Sequence, residues 1–369
     1  MKKVIQITIT ERCNLNCVYC YENDRNTNIM SIDLAKEIII KSFIEFSNID
    51  FLEFDFHGGE IALTFDFIKE LCEWTWSKKW NVPYIFHATT NGTLIHGDIQ
   101  NWFSANAKRF SLGLSLDGNK YMHDLNRSCS YDLIDLDFFA KTYPYQPIKM
   151  TISPQTLPYL FNGVIDIYSK GFLLSANLAY GMNWDDNKLK TIYQSQLLEL
   201  ANWHLENPNN DLTSLIVDRG LSRLGHCIHH NQIQVHHKWC GTGENMCCYS
   251  VGGDKLPCQM FNSSSNTHYC KELLSQNNWI DIQVSNECKN CPILSICPSC
   301  YGTNYIKTKK IIKCADGLCE YRKIEAIASS YFYGKAITSN IKHKALTEYT
   351  SIQKAYMAIA IDYIQKTLL

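Results

Sequence analysis

"ERCNLNCVYCYE", residues 11–22, sets Cys13, Cys17 and Cys20 within eight positions. The stretch before it, VIQITIT (4–10), alternates and is rich in β-branched residues, so the thiols fall in the loop that leaves a first strand. Working outward, strand and helix patterns alternate. SIDLAKEIIIKSFIEFSN (31–48) has helical spacing with Ser31 as its cap, FLEFDFH (51–57) is a second strand, and FDFIKELCEWTWSKKW (65–80) is a helix. PYIFHATTNG (83–92), RFSLGLSLDG (109–118), IKMTIS (148–153) and FLLSANLAY (172–180) supply four further strands. Six strands alternating with helices predict a parallel sheet with helices outside. Six repeats fall short of an eight-stranded closed barrel, so the expected α/β architecture is an open, partial (β/α)6 barrel. On such a fold the cysteine loop stands at the C-terminal strand ends, where active sites form.

After residue 185 the pattern changes. KLKTIYQSQLLELANWHLEN (188–207) and LTSLIVDRGLSRLGH (212–226) read as helices, and 226–239, with five histidines, as a connector. Residues 240–319 are dense in cysteine, and the chain from Glu320 onward reads as helices. The expected domains are therefore 1–185 (barrel), 186–239 (helical bridge), 240–319 (cysteine-rich domain) and 320–369 (C-terminal helices). There is no internal repeat beyond the strand–helix alternation.

The 369 residues carry 35 basic and 36 acidic side chains, net −1, which gives no electrostatic reason to expect nucleic acid or an anionic membrane as partner. No apolar run approaches the roughly 18 residues a spanning helix needs. MKKVIQITITERC lacks the apolar core of a signal peptide, and the expected location is cytoplasmic. In a reducing cytosol, seventeen cysteines point to metal, redox work or packing rather than disulfides. Clustering separates these readings, because a packing cysteine has no need of cysteine neighbours three residues away.

A [4Fe–4S] cube has four irons, each needing an outside ligand, and thiolates are the usual choice. Cys13, Cys17 and Cys20, spaced C-x3-C-x2-C, can wrap three irons from one loop, which would leave the fourth open for a small molecule. A zinc site would instead bring paired C-x2-C knuckles and four ligands. CNLNCVYC resembles the motif of the radical S-adenosylmethionine (SAM) enzymes, with Tyr19 at its aromatic position. The resemblance extends to HGGE (57–60), TTNGT (89–93), SLDG (115–118) and HDLNR (123–127), each expected at a strand end. It implies a SAM site in which Gly58 and Gly59 admit the ligand, Glu60 receives its amino group and Arg127 its carboxylate, with Asn91, Ser115 and Asp117 as further contacts. Asn-Gly and Asp-Gly also favour turns irrespective of ligands.

The second cysteine field runs Cys240, Gly253, Cys258, then CKNCPILSICPSC (288–300), then Cys319. It resembles the SPASM extension of peptide-modifying radical SAM enzymes, which holds two auxiliary [4Fe–4S] clusters. The resemblance implies one cluster on Cys288, Cys291, Cys297 and Cys319, with Cys314 competing for the last place, and one on Cys240, Cys258 and Cys300. Cys247 or Cys248 completes the latter, or its site stays open for substrate. The final C-x2-C departs from the usual C-x3-C. Two thiol pairs with no His nearby leave structural zinc as the alternative for 288–300.

Three [4Fe–4S] clusters and SAM are thus the implied cofactors, and the implied activity is hydrogen abstraction by a 5′-deoxyadenosyl radical. The resemblance ranks modification of a ribosomal precursor peptide first, as a thioether or carbon–carbon crosslink. Formylglycine formation in sulfatases and peptide epimerisation follow; in the sulfatase branch an Asp follows the cysteine equivalent to Cys258, where this chain has Gln259. An iron–sulfur electron-transfer or scaffold protein is the non-enzymatic reading, against which HGGE and Arg127 speak. The implied partners are a flavodoxin- or ferredoxin-type electron donor and, because the barrel begins at residue 4, a separate leader-binding protein or the helices after Glu320.

Overall fold

The computed structural model describes the chain except residues 23–26, 236–238, 263–269, 271–272, 275–284, 310 and 312–316. The chain divides into two compact units, 1–150 with 167–173 and 240–279, and 151–166 with 174–239 and 280–369.

In the first unit, β1 (Lys2–Thr10), β2 (Phe51–Gly58), β3 (Tyr84–Thr90) and β4 (Phe110–Leu114) pair in parallel. Between them run α1 (Ile32–Glu45), α2 (Phe65–Trp76) and α3 (Gly97–Ala105), followed by α4 (Lys120–Asn126) and α5 (Leu136–Thr142). The remaining predicted strands, β5 (Ile148–Ile152) and β6 (Leu174–Leu178), form their own two-stranded sheet, with α6 (Leu160–Ser169) between them. A single bridge, Ser115 to Lys149, links the end of β4 to β5. On its other edge the main sheet gains strands from the cysteine-rich segment: β7 (Met246–Tyr249) pairs in parallel with β1, and β8 (Lys255–Leu256) pairs antiparallel with β7.

The two faces of this sheet differ in chemistry. Register aligns Cys247, Ile5, Phe54, Phe86 and Phe110 across five strands, and this row belongs to the apolar face. Phe43 of α1 stacks on Trp80 at 4.1 Å and meets Phe54 and Tyr84 edge-on or tilted, so the aromatic core lies between sheet and helices. One residue along, the row reads Cys248, Gln6, Asp55, His87 and Ser111. Parallel sheets covered on both sides usually carry apolar residues on both. This second row is polar instead.

In the second unit α7 (Asn187–Glu206), α8 (Leu221–His229), α9 (Asn286–Lys289), α10 (Tyr301–Thr308), α11 (Leu318–Thr338) and α12 (Ser351–Leu368) dominate, with α11 packed on α7 and α12 on α8. The helix expected over 212–226 begins only at Leu221. Asp218 Oδ1 accepts from Gly220 N (2.7 Å) and Leu221 N (2.6 Å), and Gly220 sits at φ 103°, so a turn occupies the segment before the helix. Gly225 lets α8 approach α12, since a Cβ there would fall 1.8 Å from Tyr356 O. Among the described residues no helix is long and apolar enough to cross a membrane.

Candidate active site

All the residues implied for SAM lie in the first unit, at the C-terminal ends of β1 to β4 and in the loops that follow. The cysteine loop is pinned from several sides. Val18 N donates to Asn126 O (3.0 Å), Asn16 N to Ser128 Oγ (2.8 Å) and Cys20 N to Cys17 O (3.1 Å). Cys13, Cys17 and Cys20 are half-buried. Burial pushes the Cys17 thiol up to about 11, against the pull of Arg127, whose Nη1 lies 4.0 Å from Cys17 Sγ. Iron binds the thiolate and displaces that proton, and a neighbouring guanidinium offsets part of the resulting anionic charge. Three soft donors on one loop beside a cation fit an iron–sulfur cube with one open iron.

Gly58 and Gly59 serve a purpose the sequence reading did not give them. A Cβ at Gly58 would lie 2.2 Å from Thr10 O, and one at Gly59 2.1 Å from Arg12 O. Their absence of side chain lets the end of β2 press on the cysteine loop, where Gly59 N donates to Thr10 O (3.1 Å) and Glu60 N to Arg12 O (2.7 Å). Glu60 is buried and accepts from Ala62 N (3.0 Å), Thr90 Oγ1 (2.6 Å) and Asn91 N (2.7 Å). Burial raises its pKa, opposed by these donors. The carboxylate thereby ties β2 to β3, with acceptor capacity left for an ammonium.

Asn91 reaches back to the cysteine loop. Its Nδ2 donates to Asn14 Oδ1 (2.9 Å), its Oδ1 accepts from Thr93 N (3.0 Å) and Oγ1 (2.7 Å), and Asn14 Nδ2 donates to Thr93 Oγ1 (2.8 Å). Asn14 and Thr93 were not singled out from sequence, although Asn14 stands inside the C-x3-C spacing. Asp117, fully buried, receives Tyr19 Oη, Asn126 Nδ2 (3.1 Å) and Arg127 Nε (3.0 Å), and the Arg127 guanidinium lies 5.4 Å from the Tyr19 ring centre. Burial works against the Arg127 charge, but Asp117 outweighs it and holds the pKa above its ordinary value. Behind this pair His123 accepts from Asp117 N (3.3 Å), and burial lowers its pKa to about 4. Ser115 is half-buried, with its N donating to Thr90 O (2.9 Å). Tyr19, Asp117 and Arg127 thus form one network beside Cys17.

The second cysteine field falls in both units. In the first, Cys240 is exposed with Sγ 3.0 Å from Thr242 Oγ1, and Cys258 is buried. Cys247 and Cys248 point to opposite faces of β7. Cys247 joins the apolar row, whereas Cys248 joins the polar row, 3.7 Å from Thr8 Oγ1 and with Cys258 as an electrostatic neighbour. In the second unit, Cys288, Cys291 and Cys319 are mutual electrostatic neighbours; Cys291 and Cys319 are both raised in pKa, burial leading. Cys297 is half-buried at the end of the 3-10 turn Leu294–Ile296, and Cys300 caps α10, its Sγ accepting from Thr303 Oγ1 (3.3 Å). Cys314 lies outside the described residues.

Comparison with known proteins bears directly on this site. No family model matches the chain. A cysteine-type anaerobic sulfatase-maturating enzyme of Clostridium perfringens is 33% identical over 136 residues, covering 35% of either chain. The radical SAM cyclopropyl synthase TigE of Paramaledivibacter caminithermalis is 23% identical over 366 residues, 87% of this chain and 72% of TigE. TigE, matched over most of this chain, is a radical SAM enzyme. The structure of anSMEcpe with bound AdoMet and Cp18Cys peptide shares the radical SAM fold, with TM-score 0.67 and 21% identity over 93% of this chain and 100% of that one. The matches span 56% and 35% of the length of the first curated relatives.

Proposed function

We propose that this protein is a radical SAM peptide maturase of SPASM type. In this reading Cys13, Cys17 and Cys20 hold the SAM cluster. The observation that carries it is the joining of the cysteine loop, Glu60 and the Tyr19–Asp117–Arg127 network at adjacent strand ends, one cation 4.0 Å from a ligand thiol. SAM bound at the open iron supplies a 5′-deoxyadenosyl radical, which takes hydrogen from an unactivated carbon of a ribosomally made peptide. Glu60 receives the SAM ammonium through its remaining acceptor sites and Arg127 the carboxylate, with Gly58, Gly59, Asn91 and Ser115 shaping the walls around them.

Two auxiliary clusters complete the cofactor set. We assign Cys288, Cys291, Cys297 and Cys319 to one; of the ligands implied for the other, Cys240 and Cys258 lie in the first unit. Cys248 is the better fourth ligand because it shares the polar face, whereas Cys247 turns into the apolar row. The product is a crosslink or another side-chain change; likeness to TigE favours carbon–carbon bond formation. Likeness to the sulfatase-maturating enzyme and to peptide-bound anSMEcpe supports formylglycine formation as the second reading. A small external electron carrier reduces the SAM cluster, and a separate protein delivers the precursor.

Anaerobic reconstitution followed by SAM and dithionite tests the reading. Iron near twelve atoms per chain and release of 5′-deoxyadenosine are expected. A fully loaded sample that releases none overturns it.

A further inference from the structure

The second unit carries a cluster of imidazoles that the proposed function does not use. GHCIHH (225–230) closes α8 and sets His226 and His229 in its last turn and His230 at its cap. Gly225 brings α12 against this turn, since a Cβ there would strike the Tyr356 carbonyl. The centre of the Tyr356 ring then lies 5.0 Å from that of His226, 5.8 Å from that of His229 and 6.2 Å from that of His230. His226 and His230, four residues apart and so on one face of the turn, have ring centres 4.4 Å apart. His230 Nε2 lies 3.2 Å from Tyr356 Oη.

Packing alone gives little reason for these rings to gather. His229 and His230 are exposed and His226 and Tyr356 half-buried, so the cluster stands open to solvent. Among the described residues its side chains make one hydrogen bond, between His230 and Tyr356. The spacings are those of metal ligands. Two nitrogen or oxygen donors bound at a right angle to one ion, each at about 2.1 Å, stand about 3.0 Å apart, close to the His230–Tyr356 distance. Two imidazoles bound in that way have ring centres about 4.6 Å apart, whereas a tetrahedral angle needs about 5.3 Å. His226 and His230 match the right angle, which suits square-planar or octahedral ions. Among the described residues no three His, Cys, Asp or Glu side chains close on one point, which leaves the phenol as third donor. The last carbonyls of α8 turn the negative end of its dipole to the same place.

We propose that His226, His230 and Tyr356 form a site for a divalent transition-metal ion of the nickel or copper class, which clasps α8 to α12. The site is independent of the peptide-maturase reading. Each imidazole gives a nitrogen lone pair to the ion. Tyr356 gives its oxygen, and the phenolic proton passes to solvent. The hydrogen bond between His230 and Tyr356 is replaced by a bond from each to the metal, and water fills the remaining positions.

The experiment uses the full-length protein, reconstituted anaerobically with iron and sulfide, and Ni2+ alone as the probe at pH 8. Calorimetry in two buffers of different ionisation heat reads affinity and proton release. Nickel K-edge absorption reads the ligand atoms, and hydrogen exchange reads the two helices. One ion is expected to bind with Kd about 10 µM, with nitrogen and oxygen around nickel, release of a proton, and slower exchange across 221–230 and 351–360. His226→Gln and His230→Gln should each weaken binding about 30-fold, and either serves if the other loads iron poorly. Tyr356→Phe should bind more weakly and release no proton. His229→Gln should bind as wild type does. Absence of saturable binding at millimolar Ni2+ overturns the site. Sulfur in the nickel shell, which would put Cys227 or another thiol in the phenol's place, does so too. A loss in His229→Gln equal to that in His230→Gln, or proton release that persists in Tyr356→Phe, overturns it equally.

Discussion

The cysteines of the two units are held in different ways. In the first unit the loop of Cys13, Cys17 and Cys20 is gripped by side chains from distant elements: Asn91 and Thr93 on Asn14, Ser128 on Asn16, and Arg127 beside Cys17. In the second unit Cys288 lies in the four-residue α9, Cys291 just beyond it and Cys319 in the first turn of α11, and their hydrogen bonds are local, such as Cys291 N to Cys288 O (3.0 Å). Longer-range ties there include those of Ser295, which meets Arg223 and Gln234. On the proposed function, a pocket that receives SAM at an open iron gains from a protein-built wall. A site closed by four thiolates draws its order from the metal, since binding free energy becomes folding free energy.

The largest effect that can break this contrast follows iron removal. Cys13→Ala, Cys17→Ala and Cys20→Ala together should abolish SAM cleavage and lower iron from about twelve to about eight atoms per chain, with hydrogen exchange over 11–22 little changed. Cys288→Ala with Cys291→Ala should raise exchange sharply across 286–300 while SAM cleavage without peptide continues. Equal loss of protection at the two places would show that both depend on metal alike.

Buried charge comes next, and here the units are alike. Asp117 with Arg127 in the first unit has a counterpart in Glu325, which receives Arg219, Arg322 (2.8 Å) and Tyr193 (2.9 Å) and is fully buried. Arg127→Met and Glu325→Gln each leave buried charge without its partner, at about 3–5 kcal/mol in urea unfolding. Arg127→Met should also stop SAM binding, and Glu325→Gln should spare it. A cost below about 1 kcal/mol in either case would mean that water reaches the pair.

What sequence could show follows the same divide. The barrel half was legible because its signals are local: alternation in 4–10 and 51–57, Ser31 ahead of α1, and motifs at strand ends. The role of Gly58 and Gly59 was not, because the clash they avoid is with Thr10 and Arg12, almost fifty residues away in the chain. Nor was the entry of β7 beside β1, which needs a partner some 240 residues distant. The choice between Cys247 and Cys248 turns on strand register alone: adjacent residues are indistinguishable until a partner strand assigns each a face. In the second unit Arg322 and Glu325 lay at i,i+3 in a helix, a spacing common on exposed surfaces, and only the approach of Arg219 and Tyr193 makes it a buried network.

Acid distinguishes neither unit, and that is itself a test. Burial holds His123 at about 4 in the first unit and His204 at about 3 in the second. In the unfolded chain each binds its proton near pH 6.5, so the folded state binds fewer protons below that value. Stability is then full above pH 6.5 and falls as pH drops toward the folded values. Between pH 6.5 and 5 the loss is about 2 kcal/mol per histidine. Urea midpoints at pH 7 and pH 5 should fall for both unfolding steps, and His123→Gln or His204→Gln should flatten the dependence of its own step only. Identical slopes in wild type and variants would locate the acid sensitivity elsewhere.

The smallest effects probe helix ends, one in each unit. Ser31 Oγ accepts from Leu34 N at 3.3 Å, a single capping bond. Thr350 caps α12 reciprocally: its Oγ1 accepts from Gln353 N (3.2 Å) while its own N donates to Gln353 Oε1 (2.8 Å). Alanine at either position removes a side-chain acceptor from an otherwise orphaned N–H and should cost about 1 kcal/mol. Thr350→Ala should cost the more, because the glutamine loses the partner that holds it in place. Neither cap touches the strand-end site, so release of 5′-deoxyadenosine should stay at the wild-type rate while the urea midpoint of one unit moves. If Ser31→Ala slowed that release, the grip on the cysteine loop would extend through α1 and β1, and the wall around the open iron would be less self-contained than its own hydrogen bonds imply.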